Sequence, residues 1–445
     1  MGAVPQTSFR LPPGPRLPAP LQTVLWLTRP VDFPAWCVRQ YGPTYTLRLA
    51  MTPHLVLISE PQDLAHLMAL PTEIATAAEE NLILEPLLGH RSVLMLDGPE
   101  HVHLRRLLAP FFRGEAMRRH EPEVAEIVAR EVALWPRGRP FQLLPRMRAI
   151  TLEVILQVVF GLRTSPRRPQ IRRALEDLLN SGRTWMVFAW ARRDLGPRSP
   201  WGRFLRFRAQ VDRLLEEEIA ERRQGPLEHD TSLVGELLRE GSLDPGTLRD
   251  QLLTMLVAGL ETTATELSWC FLLLLHHPNA LEAVRREQRW REAAVRETLR
   301  LRPAFRLVSR RLHRPLDLGE YRLPPGTTIA GGILDAHASS ARYPYPDAFA
   351  PARFLDRQPD PHAWIPFGGG LRRCLGVNFA PFEMDVVLRE TLARVDLQAA
   401  EDELEPVSLH AVVMVPRHGA RAVVTKLRGR EAPGAPTIAP RRRKP

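Results

Sequence analysis

Hydrophobic residues recur with a helical period along most of the first two thirds of the chain, from residue 63 to residue 300. Before this region, residues 44–58 have the pattern of a β-hairpin, because β-branched and apolar residues flank a Thr-Pro-His turn. After Pro303 the pattern changes to short strands and loops. Glycine and proline clusters divide the helical region into segments that end near residues 70, 89, 110, 136, 166, 196 and 226.

The most apolar stretch, residues 252–275, predicts a long buried helix. Two glutamates interrupt the stretch and two histidines and a proline follow it, so a core helix explains it better than a membrane span. Asp244 and Pro245 suit the N-cap and the first position of this helix. At about 1.5 Å per residue, a helix from Pro245 to about His277 is roughly 45–50 Å long and can cross a large domain.

The last third of the chain combines strands with one more helix. The helix is predicted at residues 377–395, and the strands at 306–312, 321–323, 327–331, 411–415 and 420–425. The pattern as a whole predicts a mainly α fold with a small β part, an α+β fold in a single domain. The expected organisation is a proline-rich leader over residues 1–20, the domain over 21–427 and a disordered basic tail over 428–445.

Composition and charge agree with a soluble globular protein. Of 445 residues, 44% are hydrophobic and 25% are charged, which excludes a disordered, collagenous or disulfide-stapled chain. The net charge of +11 raises the hypothesis of a nucleic-acid partner. Residues 426–445 contain seven basic residues and one acidic residue, so six of the eleven charges lie there. No recognition motif accompanies the charge, and we expect no nucleic-acid partner.

The chain has 3 cysteines, Cys37, Cys270 and Cys374, and no CxxC pair. An odd, unpaired set argues for a reducing compartment and against a disulfide framework or a zinc cluster. Residues 1–20 lack the apolar segment of a secretory signal, so we expect a cytoplasmic protein without a transmembrane anchor. A lone cysteine can still bind a metal.

Residues 367–376 carry the first chemical signal. Three glycines and two arginines precede Cys374, which opens a predicted helix. A thiol placed there is expected to have its anion stabilised by amide N–H groups and the helix N-terminus, as a thiolate metal ligand requires. Gly376 lets a flat ligand approach the backbone, and Arg372 suits an acidic group on that ligand. A phosphate-binding loop is the rival interpretation, but the glycine spacing matches neither common phosphate motif.

The pattern FxxGxRxCxG, filled here by Phe367, Gly370, Arg372, Cys374 and Gly376, resembles the haem-ligand signature of the cytochrome P-450 superfamily. The resemblance implies a single-domain cytochrome P-450 fold of the soluble bacterial type, with a long central helix over the haem. It also implies that the Cys374 thiolate is the axial ligand of a b-type haem, with electron donation that favours O–O cleavage. The other four residues would then form the cofactor-binding loop.

Residues 258–263, with the sequence AGLETT, lie in the long predicted helix and resemble the (A/G)GxxT element of the same superfamily. Small side chains at Ala258 and Gly259 let a planar cofactor or a substrate approach the helix. By resemblance, Thr262 hydrogen-bonds the oxygen bound at the haem and Glu261 relays protons to it from solvent, which is general-acid delivery. Taken alone, Glu-Thr-Thr belongs more often to a helix cap or a solvated face.

Glu297 and Arg300 share one face of a predicted helix, and Arg353 follows in a PARF segment. The set resembles the ExxR and PxRF elements of the superfamily, in which three side chains interlock behind the haem-binding loop. By resemblance these residues have a structural role. Loss of one of them should abolish haem retention, because a buried charge would be left unpaired.

His101 and Arg105 are four residues apart on a predicted helix, so both can face the same anionic ligand. The segment resembles the HxxxR helix of bacterial members of the superfamily, in which the pair binds the haem propionates. Arg310 falls where the superfamily usually has another propionate-binding arginine, and we prefer it to Arg311.

By resemblance, mainly apolar segments line the substrate pocket, with Trp185, Phe188 and Trp190 in a lid: residues 82–94, 185–190, 256–263, 304–308 and 410–413. Core packing is an equal alternative for each aromatic residue. An apolar pocket favours a hydrophobic substrate such as a terpenoid, a fatty acid or a polyketide. The implied reaction is a monooxygenation, in which one oxygen atom of O₂ enters a C–H or C=C bond.

Electrons are expected from a separate ferredoxin and its reductase, because no flavin or iron–sulfur module is predicted within the chain. Such partners are acidic, and Arg106, Arg113 and Arg373 are candidates for a basic docking face, although each is as often an ordinary solvated arginine. We expect a monomer. Two alternatives stay open: a peroxide-dependent haem-thiolate peroxygenase, which would not need the Glu261–Thr262 relay, and a non-catalytic haem-binding sensor.

Overall fold

The computed structural model describes residues 8–181 and 192–428. Helices dominate this part of the chain, in agreement with the predicted mainly α fold. The α-helices, in chain order, are α1 Ala19–Thr28, α2 Asp32–Tyr41, α3 Pro61–Ala69, α4 Ala78–Asn81, α5 Glu85–Leu88, α6 Gly98–Leu108, α7 Gly114–Arg118, α8 Glu121–Ala133, α9 Leu143–Val154, α10 Arg168–Ser181, α11 Pro200–Arg222, α12 Leu233–Glu240, α13 Pro245–Leu275, α14 Pro278–Arg286, α15 Gln288–Leu301, α16 Ile333–His337 and α17 Phe379–Arg394.

Helix α13 confirms the predicted long helix and lies at the centre of the core. The Asp244 side chain accepts hydrogen bonds from the N–H groups of Gly246 and Thr247, and Pro245 follows it, so the helix begins where the sequence indicates. Helices α9, α11, α15 and α17 pack around α13, which explains why it is apolar on most sides. Among residues 8–181 and 192–428, no helix is long and apolar enough to cross a membrane.

The strands form small sheets at the edge of the helical core. They are β1 Thr44–Leu47, β2 Leu55–Ile58, β3 Ala75–Thr76, β4 Pro140–Gln142, β5 Leu307–Leu312, β6 Leu316–Leu318, β7 Tyr321–Leu323, β8 Thr328–Gly332, β9 Val395–Ala399, β10 Val407–His410, β11 Val413–Pro416 and β12 Arg421–Leu427. In the described part of the chain the largest sheet has the order β1-β2-β8-β5-β3, and a smaller one has the order β4-β12-β9. The predicted hairpin at residues 44–58 is confirmed as the antiparallel pair β1–β2.

Strand β10 was not predicted, and it changes the bounds of the predicted strand at residues 411–415. Ala411 has a φ of +54°, in the left-handed region, and lies in the turn between β10 and β11. Strand β11 therefore starts at Val413 and not, as predicted, at residue 411. Strands β1 and β2 are equally short but largely buried, whereas β10 has no buried side chain, so its pairing with β11 defines it.

The proline-rich leader packs against β1. Thr46 donates its backbone N–H to the Pro13 carbonyl oxygen and its hydroxyl to the Pro12 carbonyl oxygen, both at 2.8 Å. Gly14 lies so close that a Cβ there would come within 1.9 Å of the Thr46 carbonyl oxygen. The leader is thus fixed through carbonyl groups, since prolines have no N–H to donate. At the other end of the chain, the predicted tail beyond Arg428 lies outside the described residues.

Candidate functional site

The glycine-rich loop before Cys374 has a backbone that other residues would strain. Gly368 and Gly370 each have a φ of +63°, in the left-handed region. A Cβ on Gly370 would also come within 2.1 Å of the Met68 carbonyl oxygen of α3. The Cys374 N–H donates to the Phe367 carbonyl oxygen at 2.9 Å, which closes the loop. The tight turn predicted from the glycines is confirmed, and it presents the Cys374 side chain.

Cys374 is exposed, whereas Cys37 and Cys270 are buried. Protein atoms around the Cys374 sulfur nonetheless desolvate the thiolate and raise the thiol pKa, while the Gly376 N–H, Arg105 and Arg373 lower it in part. The net shift is opposite to the expectation that the surroundings by themselves stabilise the anion. Coordination by a metal ion would overcome this shift, because it removes the thiol proton outright.

Gly376 is not required by packing within the protein. A Cβ at this position would lie 3.8 Å from the Cys374 sulfur, which is an ordinary van der Waals distance. Glycine leaves the space beside the sulfur open, on the side where a flat ligand is predicted.

Four residues that were predicted to bind a ligand come together near Cys374, namely His101, Arg105, Arg310 and Arg372. His101 is buried, and its burial together with the nearby Arg372 and Arg105 lowers its pKa to about 4. Burial and the charge of Arg372 lower the pKa of Arg310 to about 10. Positive charge therefore exceeds negative charge in a partly buried cluster, and an anionic ligand would relieve this imbalance.

Asp97 is a site residue that the sequence analysis missed. Its carboxylate pairs with Arg372 and accepts the N–H groups of Ala77 and Ala78 at 3.2 and 2.9 Å. Arg372 also donates to the Leu96 carbonyl oxygen. Much of the donor capacity of Arg372 is thus used within the protein, so this arginine is less free for a ligand than predicted.

Arg310 faces the cluster, whereas Arg311 does not. Successive side chains of a strand point to opposite faces, and Arg311 on β5 pairs with Glu80 at 2.9 Å. Arg310 donates to the Ser309 carbonyl oxygen at 2.7 Å. Among the described residues, no carboxylate forms an ion pair with Arg310. The structure therefore favours Arg310 over Arg311 for an anionic ligand.

Ala258 is exposed in the middle of α13, a helix that is otherwise buried at most positions. Thr262 lies one turn further along, and its hydroxyl donates to the Ala258 carbonyl oxygen at 2.6 Å. Gly259 has a different neighbour, because a Cβ there would lie 3.3 Å from Cδ1 of Ile155. The open face of the helix is thus at Ala258 and Thr262, while Gly259 gives room to Ile155.

Glu261 has an ion-pair partner in Arg148 of α9. Arg148 donates to Oε2 of Glu261 through Nη2 at 2.8 Å and through Nε at 3.2 Å. The two residues are 113 positions apart in the chain, so the sequence offered no signal for the pair. The predicted relay acid is therefore held by a cation on a neighbouring helix.

Glu297, Arg300 and Arg353 contact one another in a buried cluster. Arg300 donates to both carboxylate oxygens of Glu297 at 2.7 and 2.9 Å, and Arg353 donates to Oε1 at 3.0 Å. The Ala350 N–H adds a further hydrogen bond to Oε1 at 2.9 Å. Side chains of Glu297 and Arg300 are 0% and 1% exposed, so each charge depends on the other for compensation.

His337 connects this cluster to the loop that carries Cys374, and the sequence analysis missed it. Its Nδ1 lies 3.0 Å from the Arg300 carbonyl oxygen, and its Nε2 accepts the Ile365 N–H at 2.9 Å. These two partners assign the proton to Nδ1, because a carbonyl oxygen only accepts and an N–H only donates. A neutral imidazole therefore links α15 to the segment just before Phe367.

We expect the His337→Gln variant to be less acid-sensitive than the unchanged protein. Burial lowers the pKa of His337 from 6.5 to about 3, so the folded state excludes a proton that the unfolded chain binds. The stability provided by neutral His337 is complete above pH 6.5 and is lost as the pH falls towards 3, by up to about 1.4 kcal/mol per pH unit. Urea unfolding of both proteins across this range measures the difference. Parallel stability curves would contradict the prediction.

The predicted pocket segments contribute exposed apolar side chains in the described part of the chain. Leu82, Phe305 and Val412 are 50%, 38% and 42% exposed. Trp185, Phe188 and Trp190, predicted as a lid, lie outside the described residues.

A family profile described as Cytochrome P-450 matches residues 12–422. The chain is 40% identical over 439 residues to a Mycobacterium tuberculosis protein provisionally named cytochrome P-450 135B1. The match covers 95% of this chain and 93% of that protein. It is 35% identical over 434 residues to the provisionally named cytochrome P-450 138 of the same species, covering 94% of this chain and 97% of that protein.

Solved structures resemble the fold over most of the chain. The retinoic acid-bound cyanobacterial CYP120A1 has a TM-score of 0.81 and 26% identity, covering 94% of this chain and 99% of that one. CYP175A1 from Thermus thermophilus has a TM-score of 0.72 and 30% identity, covering 88% and 94%. The mainly α fold with small sheets is thus shared with solved structures of bacterial proteins.

Proposed function

The chain belongs to the cytochrome P-450 family, and on that premise we propose that it inserts one oxygen atom of O₂ into a hydrophobic organic substrate with electrons from a separate redox partner. Members of this family are monooxygenases with a cysteine-ligated haem iron. The observation that carries the proposal is the exposed thiol of Cys374 beside a cluster of partly buried arginines. A haem has the matching groups, an iron for the thiolate and two propionates for the cations.

The residues at the site fit a haem in three respects. Cys374 is the exposed cysteine, and Gly376 has no packing reason of its own to lack a side chain. The cations Arg105 and Arg310, with the neutral imidazole of His101 as a further hydrogen-bonding group, suit propionate carboxylates. When bound, haem supplies activation of O₂ for insertion into the substrate.

The protein's own residues hold the cofactor, transfer protons and exclude water. Cys374 would hold the iron, Phe367 and Gly370 shape the loop that carries Cys374, and Ala258 would leave space on α13. Glu261 takes a proton from solvent, and the Thr262 hydroxyl, now bonded to the Ala258 carbonyl oxygen, turns to pass a proton into the site. Exposed apolar side chains of the predicted pocket segments, such as Phe305, would exclude water from the substrate.

The Thr262→Ala variant is expected to retain haem but to divert reducing equivalents into hydrogen peroxide. Without the hydroxyl, the open face of α13 would lack its proton-donating side chain, and product per reductant should fall on the order of tenfold. Simultaneous assay of reductant, product and peroxide measures the effect. Thr263→Ala is the matched control, because that neighbouring side chain is buried on another face of the helix. Unchanged coupling of reductant to product in Thr262→Ala would exclude this role.

A peroxide-dependent enzyme is the main alternative. Glu261 and Thr262 favour use of O₂, because hydrogen peroxide already carries the two protons that the relay would deliver. Activity with hydrogen peroxide and none with O₂ plus reductant would replace the proposal. A non-catalytic sensor would show neither activity.

A hydrophobic substrate is supported by the exposed apolar residues of the pocket segments and by the retinoic acid in the similar cyanobacterial structure. Terpenoids, fatty acids and polyketides share that character, and hydroxylation or epoxidation is the proposed outcome. Titration with a library of such compounds, read as the low- to high-spin change of the haem spectrum, tests this class. A response confined to polar compounds would contradict it.

A ferredoxin with its reductase is the proposed electron donor, and the protein is proposed to act as a cytoplasmic monomer. Arg113 and Arg373 are exposed and close enough to Arg105 to affect its pKa, which places them on the Cys374 side of the molecule with a net positive charge. Arg106 is also exposed. An acidic partner would be attracted to this face, and raised ionic strength should slow electron transfer.

A further inference from the structure

A surface pocket of about 280 Å³ lies between the start of α9 and the hairpin formed by β10 and β11. Leu144, Leu409 and Val415 form an apolar part of its wall. Among the described residues, none from α13 or from the Cys374 loop lines the pocket, so it is separate from the candidate site described above. A volume of this size suits a small organic molecule better than a single ion.

The charged side chains that line the pocket are both arginines. Arg148 and Arg417 contribute guanidinium groups, and no aspartate or glutamate of the described residues belongs to the lining. Arg417 is exposed, and its guanidinium has no hydrogen bond or ion pair with another described residue. Glu405 lies beside the turn after β11, but its carboxylate already accepts the N–H groups of His418 and Arg421 at 2.7 and 2.8 Å. The pocket therefore carries positive charge that the protein leaves without a matching anion.

Arg148 and His410 also have donor groups to spare. Nε and Nη2 of Arg148 donate to Oε2 of Glu261 at 3.2 and 2.8 Å, and Nη2 lies 3.2 Å from Nδ1 of His410. Because an arginine only donates, Nδ1 of His410 accepts and the imidazole carries its proton on Nε2. Among the described residues, Nη1 of Arg148 and Nε2 of His410 have no hydrogen-bond partner. Both can donate to a ligand that enters the pocket.

We propose that this pocket binds a small organic carboxylate. The carboxylate group would lie between Arg148 and Arg417, where its hydrogen bonds are charge-assisted. The apolar body of the ligand would contact Leu409 and Val415, so an organic anion is favoured over an inorganic one. The inference goes beyond the proposed oxygen insertion and does not depend on it.

Arg148 links the pocket to Glu261, because one guanidinium would then face two carboxylates. The two negative charges repel each other, so binding at the pocket and the charge of Glu261 are coupled with opposite sign. Removal of the Glu261 charge should therefore strengthen binding. In Glu261→Gln, the affinity for the carboxylate is expected to rise several-fold.

Benzoate tests the proposal against benzamide, which has nearly the same shape but no charge. In calorimetric titrations of the haem-loaded protein, benzoate should bind about tenfold more tightly than benzamide or sulfate. Arg417→Ala should weaken benzoate binding about tenfold and remove the rise in Tm that benzoate produces in the unchanged protein. The matched control is Arg421→Ala, because Arg421 pairs with Glu401 at 2.6 Å and does not line the pocket. This variant should keep the benzoate affinity.

Several results would overturn the proposal. Equal binding of benzamide would show that charge is not recognised, and equal binding of sulfate would indicate an adventitious ion only. Undiminished benzoate affinity in Arg417→Ala, or a spin-state change of the haem during the titration, would place benzoate elsewhere. An unchanged affinity in Glu261→Gln would contradict the part assigned to Arg148. None of these measurements involves turnover, so their failure is distinguishable from failure of the proposed oxygen insertion, which is read from product.

Discussion

Replacement of Cys374 by Ala is expected to abolish the red-shifted Soret band that a thiolate-ligated haem shows when reduced and bound to carbon monoxide. The band depends on electron donation from the thiolate, and Cys374 is the exposed cysteine at the end of the glycine-rich loop. A Cys374→His variant should retain some haem but lack the red shift, because a neutral imidazole is a weaker donor than a thiolate. The reduced carbon monoxide difference spectrum of purified protein measures both.

Cys37 and Cys270 provide the controls for this experiment. Both are buried within hydrophobic core clusters, so neither thiol is accessible to a bound cofactor. Cys37→Ala and Cys270→Ala should therefore keep the band, with only the stability cost of a small cavity. A normal band in Cys374→Ala, or its loss in either control, would refute the assignment of the ligand.

The second large effect is expected from Glu297→Ala. Removal of the carboxylate leaves Arg300 buried without its ion-pair partner and also releases Arg353, at a cost of about 3–5 kcal/mol. Arg300 reaches His337, and His337 holds the Ile365 N–H before the Cys374 loop, so the loss should extend to the site that binds haem. We expect protein that unfolds at lower urea and carries little haem.

Glu292 is the matched control on the same helix. It forms an exposed pair with Arg296 at 3.8 Å, and exposed pairs contribute about 0–1 kcal/mol. Glu292→Ala should therefore keep haem and nearly all of its stability. Haem content per protein and urea midpoints compare the two variants. Full haem retention in Glu297→Ala would show that the cluster is not coupled to the cofactor loop.

Local sequence features predicted much of the fold because they act over a few residues. The Asp244 cap and the apolar stretch after it placed α13 correctly, and the turn residues placed the β1–β2 hairpin. Strand β10 escaped prediction because none of its side chains is buried and its pairing with β11 defines it. Short strands of this kind are defined by pairing rather than by their own propensity.

The candidate site was likewise predictable from the sequence only in part. Motif spacing pointed to Cys374, to the Glu297–Arg300 pair and to the choice of Arg310. The structure pairs Glu297 with Arg300, and it places Cys374 near Arg105 and Arg310 near Arg372. Spacing gave no sign that Asp97 would occupy Arg372, because the two are 275 residues apart. It also suggested that the thiol environment alone favours the anion, whereas desolvation raises the thiol pKa.

Residue types and their spacing identified the side chains that carry the chemistry: a cysteine after a glycine-rich turn, an acid and an alcohol on a long helix, and an interlocking acid and arginine. The partners of these side chains follow only from the folded chain, since Arg148 meets Glu261 and His337 joins Arg300 to Ile365 through contacts between distant segments. The two kinds of feature differ in how far apart along the chain the interacting residues lie. Caps, turns and hydrophobic periods depend on neighbours along the chain, whereas ion pairs, desolvation and solvent access depend on what folding brings alongside.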